Sequence, residues 1–135
     1  MELYKAFKIS AAGMRAQGTR LRIAAENVAN ADSLPTAPGQ EPYRRKLLTF
    51  KNVMDREIGA EMVKVNKVMP DRSDFGMKYE PSHPAANDQG YVQTPNVETL
   101  VEMMDMREAQ RSYEANLNVI QSSRSMLLKT LDILQ

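Results

Sequence analysis

One histidine, no cysteine and three carboxylates about a helical turn apart are the side chains of this 135-residue chain most open to a chemical reading. His83 lies between Ser82 and Pro84. A single imidazole with no cysteine or carboxylate cluster beside it makes a poor metal site. No G-x-S-x-G signature supplies a nucleophile for it to activate, so His83 reads as a loop-packing residue. Glu98, Glu102 and Asp105 could converge on a cation. Carboxylates at the start of a helix are read more simply as a solvated face that complements the helix dipole. The run Tyr43-Arg44-Arg45-Lys46, with Arg15, Arg20 and Arg22, could touch phosphates, yet the whole chain carries a net charge of only +1. A nucleic-acid domain shows a basic excess. None of the six glycines forms a phosphate-cradling loop. The expectation is therefore no catalytic residue, no metal, no cofactor and no nucleic-acid partner.

Asn27 and Asn30 pose a different question, because asparagine is a poor helix former and these two sit in "LRIAAENVANADS" just before a Pro- and Gly-rich stretch. Their amides can donate and accept across a contact, and a polar residue in a helical seam fixes register at a cost in stability. They read either as a helix end or as part of an interface.

The elements that must position these residues follow from periodicity. Leu3, Phe7, Ser10, Met14, Gln17, Leu21, Ala24, Val28 and Ala31 step by four and three, as in a heptad seam. A weaker stripe runs through Ile9, Ala12, Ala16 and Ile23. Gly13 and Gly18 each cost about 1 kcal/mol in a helix interior, so this helix is expected to be weak when alone. The second periodic segment runs through Met103, Met106, Gln110, Tyr113, Leu117, Ile120, Arg124, Leu127, Leu131 and Leu134, with Asn96 as its expected N-cap. Roughly 38 residues without Pro or Gly would span about 57 Å. Between the two, short strands are expected at 45–50, 61–68 and 75–80, a short helical turn at 52–59 and a loop at 80–90. The expected fold is mainly α with a small β insert. Long N- and C-terminal helices form a coiled-coil-like pair in an elongated molecule, divided as 1–31 helix, 32–95 linker and β-containing middle, and 96–135 helix.

Composition agrees with helical seams: hydrophobic residues make up 42% and aromatics only 6%, with ten methionines suited to irregular contacts. Residues 1–31 carry about +3 and residues 96–135 about −2, favouring mutual association of the ends. No stretch has the length of a transmembrane helix, and the N-terminus lacks the features of a cleaved secretory signal. Two heptad-bearing ends have more apolar surface than one helix pair can cover, so neighbours are expected. Pattern alone stops at a helical assembly protein, since a cytoplasmic coiled-coil adaptor or export chaperone would share it.

Residues 9–33, "ISAAGMRAQGTRLRIAAENVANADS", closely resemble the N-terminal signature of bacterial flagellar axial proteins, the rod and hook family. The shared features are Gly13, Ala16-Gln17, Arg20-Leu21, and Asn27 with Asn30. Many members follow the second asparagine with Thr-x-Gly-Tyr, whereas this chain has a longer link ending in Pro42-Tyr43-Arg44-Arg45, as in a proximal-rod member. "HPAANDQGYVQTPNVETLVEMMDM" (83–106) and "RSYEANLNVIQSSRSMLLKTLDI" (111–133) agree, the latter with Arg111, Tyr113, Ala115 and Asn116. The resemblance implies a non-enzymatic subunit of the proximal rod, or of a neighbouring rod or hook segment, that helps transmit torque from motor to hook and filament. It implies terminal helices packed into an inner tube, with copies of the same chain and other rod proteins as partners. The flagellar export apparatus and basal-body ring components would be further partners, and the subunit would reach the periplasmic space without a cleaved leader. The residues expected at assembly contacts are Leu3, Phe7, Met14, Gln17, Leu21, Asn27, Val28, Asn30, Tyr113, Asn116, Leu117, Ile120, Leu127 and Leu131.

Overall fold

A computed structural model describes residues 2–134. Along the chain lie α1 (Glu2–Ala29), β1 (Lys46–Asp55), β2 (Ala60–Pro70), β3 (Gly76–Tyr79), β4 (Tyr91–Thr94) and α2 (Thr99–Ile133). The helices are 28 and 35 residues long, and the strands form two separate two-stranded sheets, β1–β2 and β3–β4. The residues thus build a mainly helical protein with a small β insert.

α1 ends for a local reason. Past α1, the Asn30 amide nitrogen donates back to the Glu26 carbonyl at 2.8 Å, while the Ser33 N–H and hydroxyl donate to the Asn30 carbonyl and side-chain oxygen. Asparagine and serine side chains that bond nearby backbone give the chain an alternative to the helix ladder. At the start of α2, the Glu98 carbonyl accepts the first helical bond, from the Glu102 N–H at 3.1 Å. Asn96, expected as the cap, is occupied elsewhere. Its side-chain oxygen accepts the Arg45 N–H at 2.7 Å, and its amide nitrogen reaches the Asp71 carbonyl and the Ser73 hydroxyl, each at 3.0 Å.

Residues 52–59, expected as a helical turn, instead finish β1 and form the tight turn into β2. The Asp55 carboxylate accepts the Glu57 N–H at 2.9 Å, and its carbonyl accepts the Gly59 N–H at 2.9 Å. Gly59 has φ +62°, a conformation glycine adopts without penalty. An aspartate-centred turn closed by glycine outcompetes a helical one here.

The chain divides into two compact units. One gathers α1 as far as Leu21, Thr49–Lys67, and α2 from Arg107 onward. Its core is Ala12, Ile58 and Met62, with Ala60 packed against them. The face that α1 buries here is therefore its small-residue stripe, with Ser10, Gly13 and Ala16 also buried. A Cβ on Gly13 would stand 2.8 Å from the Asn116 amide nitrogen, so glycine at this position lets Asn116 lie against the α1 backbone. Small residues bring partners close, which leaves the large ones Leu3, Phe7 and Ile9 exposed. Lys8 pairs with Glu57 and lies 3.9 Å from Asp55, and the Tyr4 hydroxyl donates to Glu57 at 3.4 Å. The hydrogen bond to the Glu57 carboxylate, then the one to Tyr4, holds the Lys8 ammonium above the usual lysine range.

The other unit consists of Arg22–Leu48 and Val68–Met106. Here β3 and β4 pair antiparallel, Gly76 opposite Thr94 and Tyr79 opposite Tyr91, with Val92 fully buried. The loop between them is organised by short-range bonds. The Asn87 side-chain oxygen accepts the Gln89 and Tyr91 N–H groups at 3.0 and 2.9 Å, and His83 Nδ1 accepts the Ala85 N–H at 3.0 Å. Gly90, at φ +84°, closes against the Tyr79 ring, where any Cβ would approach to 2.9 Å.

Candidate functional site

The densest side-chain network in this second unit centres on Asn27 and Glu102. Asn27 faces inward from the last turn of α1 and is only 1% exposed; Glu102, at the start of α2, is 2% exposed. The Asn27 amide nitrogen donates to the Lys46 carbonyl at 3.0 Å and to the Glu102 carboxylate at 3.2 Å. Its oxygen accepts the Tyr43 hydroxyl at 2.8 Å and the Lys46 N–H at 3.0 Å. An amide offers two donors and two acceptor lone pairs, and all four are used within the chain.

Glu102 has a second partner. The Arg45 guanidinium donates its Nε–H to the other carboxylate oxygen and an Nη1–H to Asp71 at 3.2 Å. Backbone bonds flank the ion pair: the Asp71 N–H donates to the Arg45 carbonyl at 2.7 Å, and Arg44 donates to the Asp71 carbonyl at 2.9 Å while its guanidinium lies over the Phe75 ring at 4.2 Å. One cluster therefore ties together the end of α1, the entry to β1, the exit of β2 and the start of α2. Burial alone would lower the Arg45 pKa, but hydrogen bonds and charges from Glu102 and Asp71 more than offset it and raise it. Burial raises the Tyr43 phenol, which keeps its proton for Asn27. No reactive group is left unengaged in this cluster, and its arrangement serves to hold segments in register.

Two carboxylates give this unit a defined pH response. The Ser73 N–H, then its hydroxyl and Arg45, hold Asp71 below its usual 3.8 despite burial; the hydrogen bond from Lys46 holds Glu26 below its usual 4.5. A depressed folded-state pKa contributes stability that is complete above the unfolded value and is lost as pH falls through the folded one. Lys46, raised from 10.5 by Glu26, contributes fully below 10.5. Thermal midpoints should therefore be flat from about pH 5 to pH 9 and fall progressively below about pH 4. A midpoint unchanged down to pH 2 would sink this reading.

The residues expected at assembly contacts fall into three groups. Asn27 is bonded as described. Asn30 is a half-buried helix-ending residue, and Met14, Gln17, Leu21, Val28, Tyr113, Asn116, Leu117 and Ile120 are half-buried. Leu3, Phe7, Leu127 and Leu131 are exposed. Asn27→Ala leaves the Tyr43 hydroxyl, the Lys46 N–H and one Glu102 oxygen without their partner, so we expect a loss of about 2–3 kcal/mol in urea unfolding. Asn30→Ala removes two local bonds at the helix end, the one to the Glu26 carbonyl and the one from the Ser33 hydroxyl, and should cost about 1 kcal/mol, less than Asn27→Ala. Equal effects would contradict the network's centre at Asn27.

Glu102, read from sequence as part of a solvated acidic turn, is the correction with most consequence. A signal was present: stepping back by three and four from Tyr113 through Ala109 and Met106 reaches Glu102, on the buried face. Ala109 is fully buried and Met103 exposed, so the packed face lies one position before the expected seam at this end of α2.

Long terminal helices, a small β insert and a saturated polar fastener define a structural protein. Residues 88–133 match the family described as flagellar basal body rod FlgEFG protein C-terminal. Over nearly its whole length the chain is similar to flagellar basal-body rod proteins FlgC. It is 50% identical to that of Agrobacterium fabrum over 98% of this chain and 96% of the relative. It is 41% identical to that of Salmonella typhimurium, covering 98% of each. For Bacillus subtilis the identity is 34%, over 98% and 99%. The chain belongs to the FlgC family of flagellar basal-body rod proteins.

Proposed function

We propose that this chain builds the proximal part of the rod by helical packing of its terminal helices against copies of itself and other rod proteins, and so carries torque outward. What supports the reading most is the last stretch of α2 and the residue after it, where Met126, Leu127, Leu128, Leu131, Ile133 and Leu134 are all exposed. Apolar residues around a whole helix end call for burial by neighbours. The exposed Leu3 and Phe7 of α1 belong to the same interface, and the half-buried seam residues extend it as a coiled-coil-like pairing of the terminal helices. Delivery through the flagellar export apparatus without a cleaved leader, into the periplasmic space and against ring components, completes the reading. Among the described residues no helix is long and apolar enough to cross a membrane.

The test is deletion followed by basal-body isolation and imaging. Rings without a complete rod, restored by the intact gene, are the expected result. Normal rods in the deletion strain would overturn the proposal.

A further inference from the structure

Charge is divided unevenly between the two units. The first carries twelve Lys/Arg against seven Asp/Glu, a net of +5, and the second six against ten, a net of −4. In the first unit three of these cations gather without a counter-ion. Arg15 of α1 and Lys64 of β2 border the same groove. Lys51 of β1 stands beside Lys64. Asp55 and Ala60 flank the hairpin turn, and pairing back from them sets Thr49 beside Asn66, whose side chains lie 3.5 Å apart, and Lys51 beside Lys64. All three cations are exposed, and none forms an ion pair among the described residues. Like charges directly opposite one another weaken a sheet. The hairpin therefore keeps this cluster at a cost in stability, which a carboxylate from outside would relieve.

The acidic unit presents such a carboxylate on a fixed support. Asp88 is exposed, and its side chain makes no ion pair or hydrogen bond among the described residues. The turn around Asn87 sets its place: the Asn87 carbonyl accepts the Gly90 N–H at 2.9 Å, and the Asn87 side chain accepts the Gln89 and Tyr91 N–H groups. At the same end of the β3–β4 hairpin the Tyr79 and Tyr91 rings meet edge to face, 5.3 Å apart, and these residues are 64% and 40% exposed. Aromatic faces attract cations, and tyrosine is enriched at protein contacts, so the rings and the carboxylate call for the same partner. Asp74, a free carboxylate before β3, lacks that support, because Arg44 already covers the Phe75 ring beside it.

We infer that the cluster of Arg15, Lys51 and Lys64 receives the β3–β4 turn of a second copy of this chain, with Asp88 meeting the cations and the two tyrosines lying against the lysines. A second copy fits because, at these net charges, opposite units attract and like units repel. The contact deepens the rod reading, on which it rests, by naming one pair of surfaces. It is heterologous, cluster to turn, so every copy keeps one free cluster and one free turn. A contact of that kind adds further copies in one direction instead of closing as a dimer.

The chain has no cysteine, which makes disulfide mapping clean. A tagged full-length chain with Asn66→Cys, two residues from Lys64 on the same strand face, is mixed with an untagged chain carrying Gln89→Cys and oxidised. Tagged–untagged dimers should clearly exceed those formed when the untagged cysteine stands at Gln40, an exposed position of the same unit. Lys64→Glu in the tagged chain should lower the yield about two- to five-fold, the scale of an exposed ion pair. Asp88→Lys in the untagged chain should restore it. The same Lys64→Glu removes the like-charge pair with Lys51, so it should raise the subunit's own melting temperature. Circular dichroism follows that melting and confirms that each variant is folded. A yield no greater than the Gln40 control, indifference to the charge swap, or a lower melting temperature for Lys64→Glu would each overturn the inference. Failure here with rods still lost on deletion rejects only this contact; normal rods on deletion reject the rod reading itself.

Discussion

Arg45→Ala is expected to lower the free energy of unfolding by about 3–5 kcal/mol, the scale for stripping the partner from a buried ion pair. Glu102 is the reason. Its carboxylate is almost wholly removed from water, and Arg45 is the cation that meets it. Without the guanidinium, Glu102 retains one amide donor from Asn27, which does not neutralise a charge. Asp71 loses a donor at the same time. A domain of this size has about 5–15 kcal/mol in total, so the variant should melt far earlier in urea and be cleared quickly in cells. The paired replacement Arg45→Met with Glu102→Leu should recover most of the loss, because apolar residues of similar volume avoid the desolvation of both charges. Circular dichroism through a urea titration at neutral pH measures both. A single-variant cost under about 1 kcal/mol, or a double variant as weak as the single, would show that the pair is not the fastener.

This fastener was the least legible part of the chain, for a physical reason. Periodicity reports which face of a helix or strand avoids water, and it worked where apolar residues do the avoiding. The two long helices, the strand around Val63 and Val65 and the loop at 80–90 were all readable in that way. Glu102 and Asn27 avoid water by satisfying each other across 75 positions of sequence, and no local pattern encodes a partner that far away. The same limit misplaced Asn96, whose local preference is to cap a helix but whose side chain answers an N–H 51 positions earlier. Residues 52–59 failed differently. Their composition suits a helical turn, and Asp55 with Gly59 imposes a tighter one. Burial on α1 was legible as two stripes, but their order was not: Gly13 draws Asn116 against the backbone, and close approach favours small residues over large.

The polar cluster settles the geometry of one unit, and the apolar end of α2 bears on what lies outside the chain. Leu127→Lys with Leu131→Lys is expected to abolish swimming while leaving the isolated protein as stable as the parent. Both side chains are about half exposed, 52% and 49%. Surface changes of that kind usually shift unfolding by no more than about 0.5 kcal/mol, and lysine is a good helix former. In an assembly the balance reverses. Each leucine would contribute about 1.5–3 kcal/mol when buried by a neighbour, whereas a lysine there must lose water or force the contact open. The loss recurs at every copy, so a modest penalty per contact becomes failure to build the rod. Leu127→Met with Leu131→Met conserves volume and apolar character and should swim normally. Urea unfolding, swimming in soft agar and the chain's presence in purified basal bodies separate the cases. Swimming by the double-lysine variant would remove this helix end from the interface. Loss of stability equal to loss of swimming would make it part of the subunit's own core.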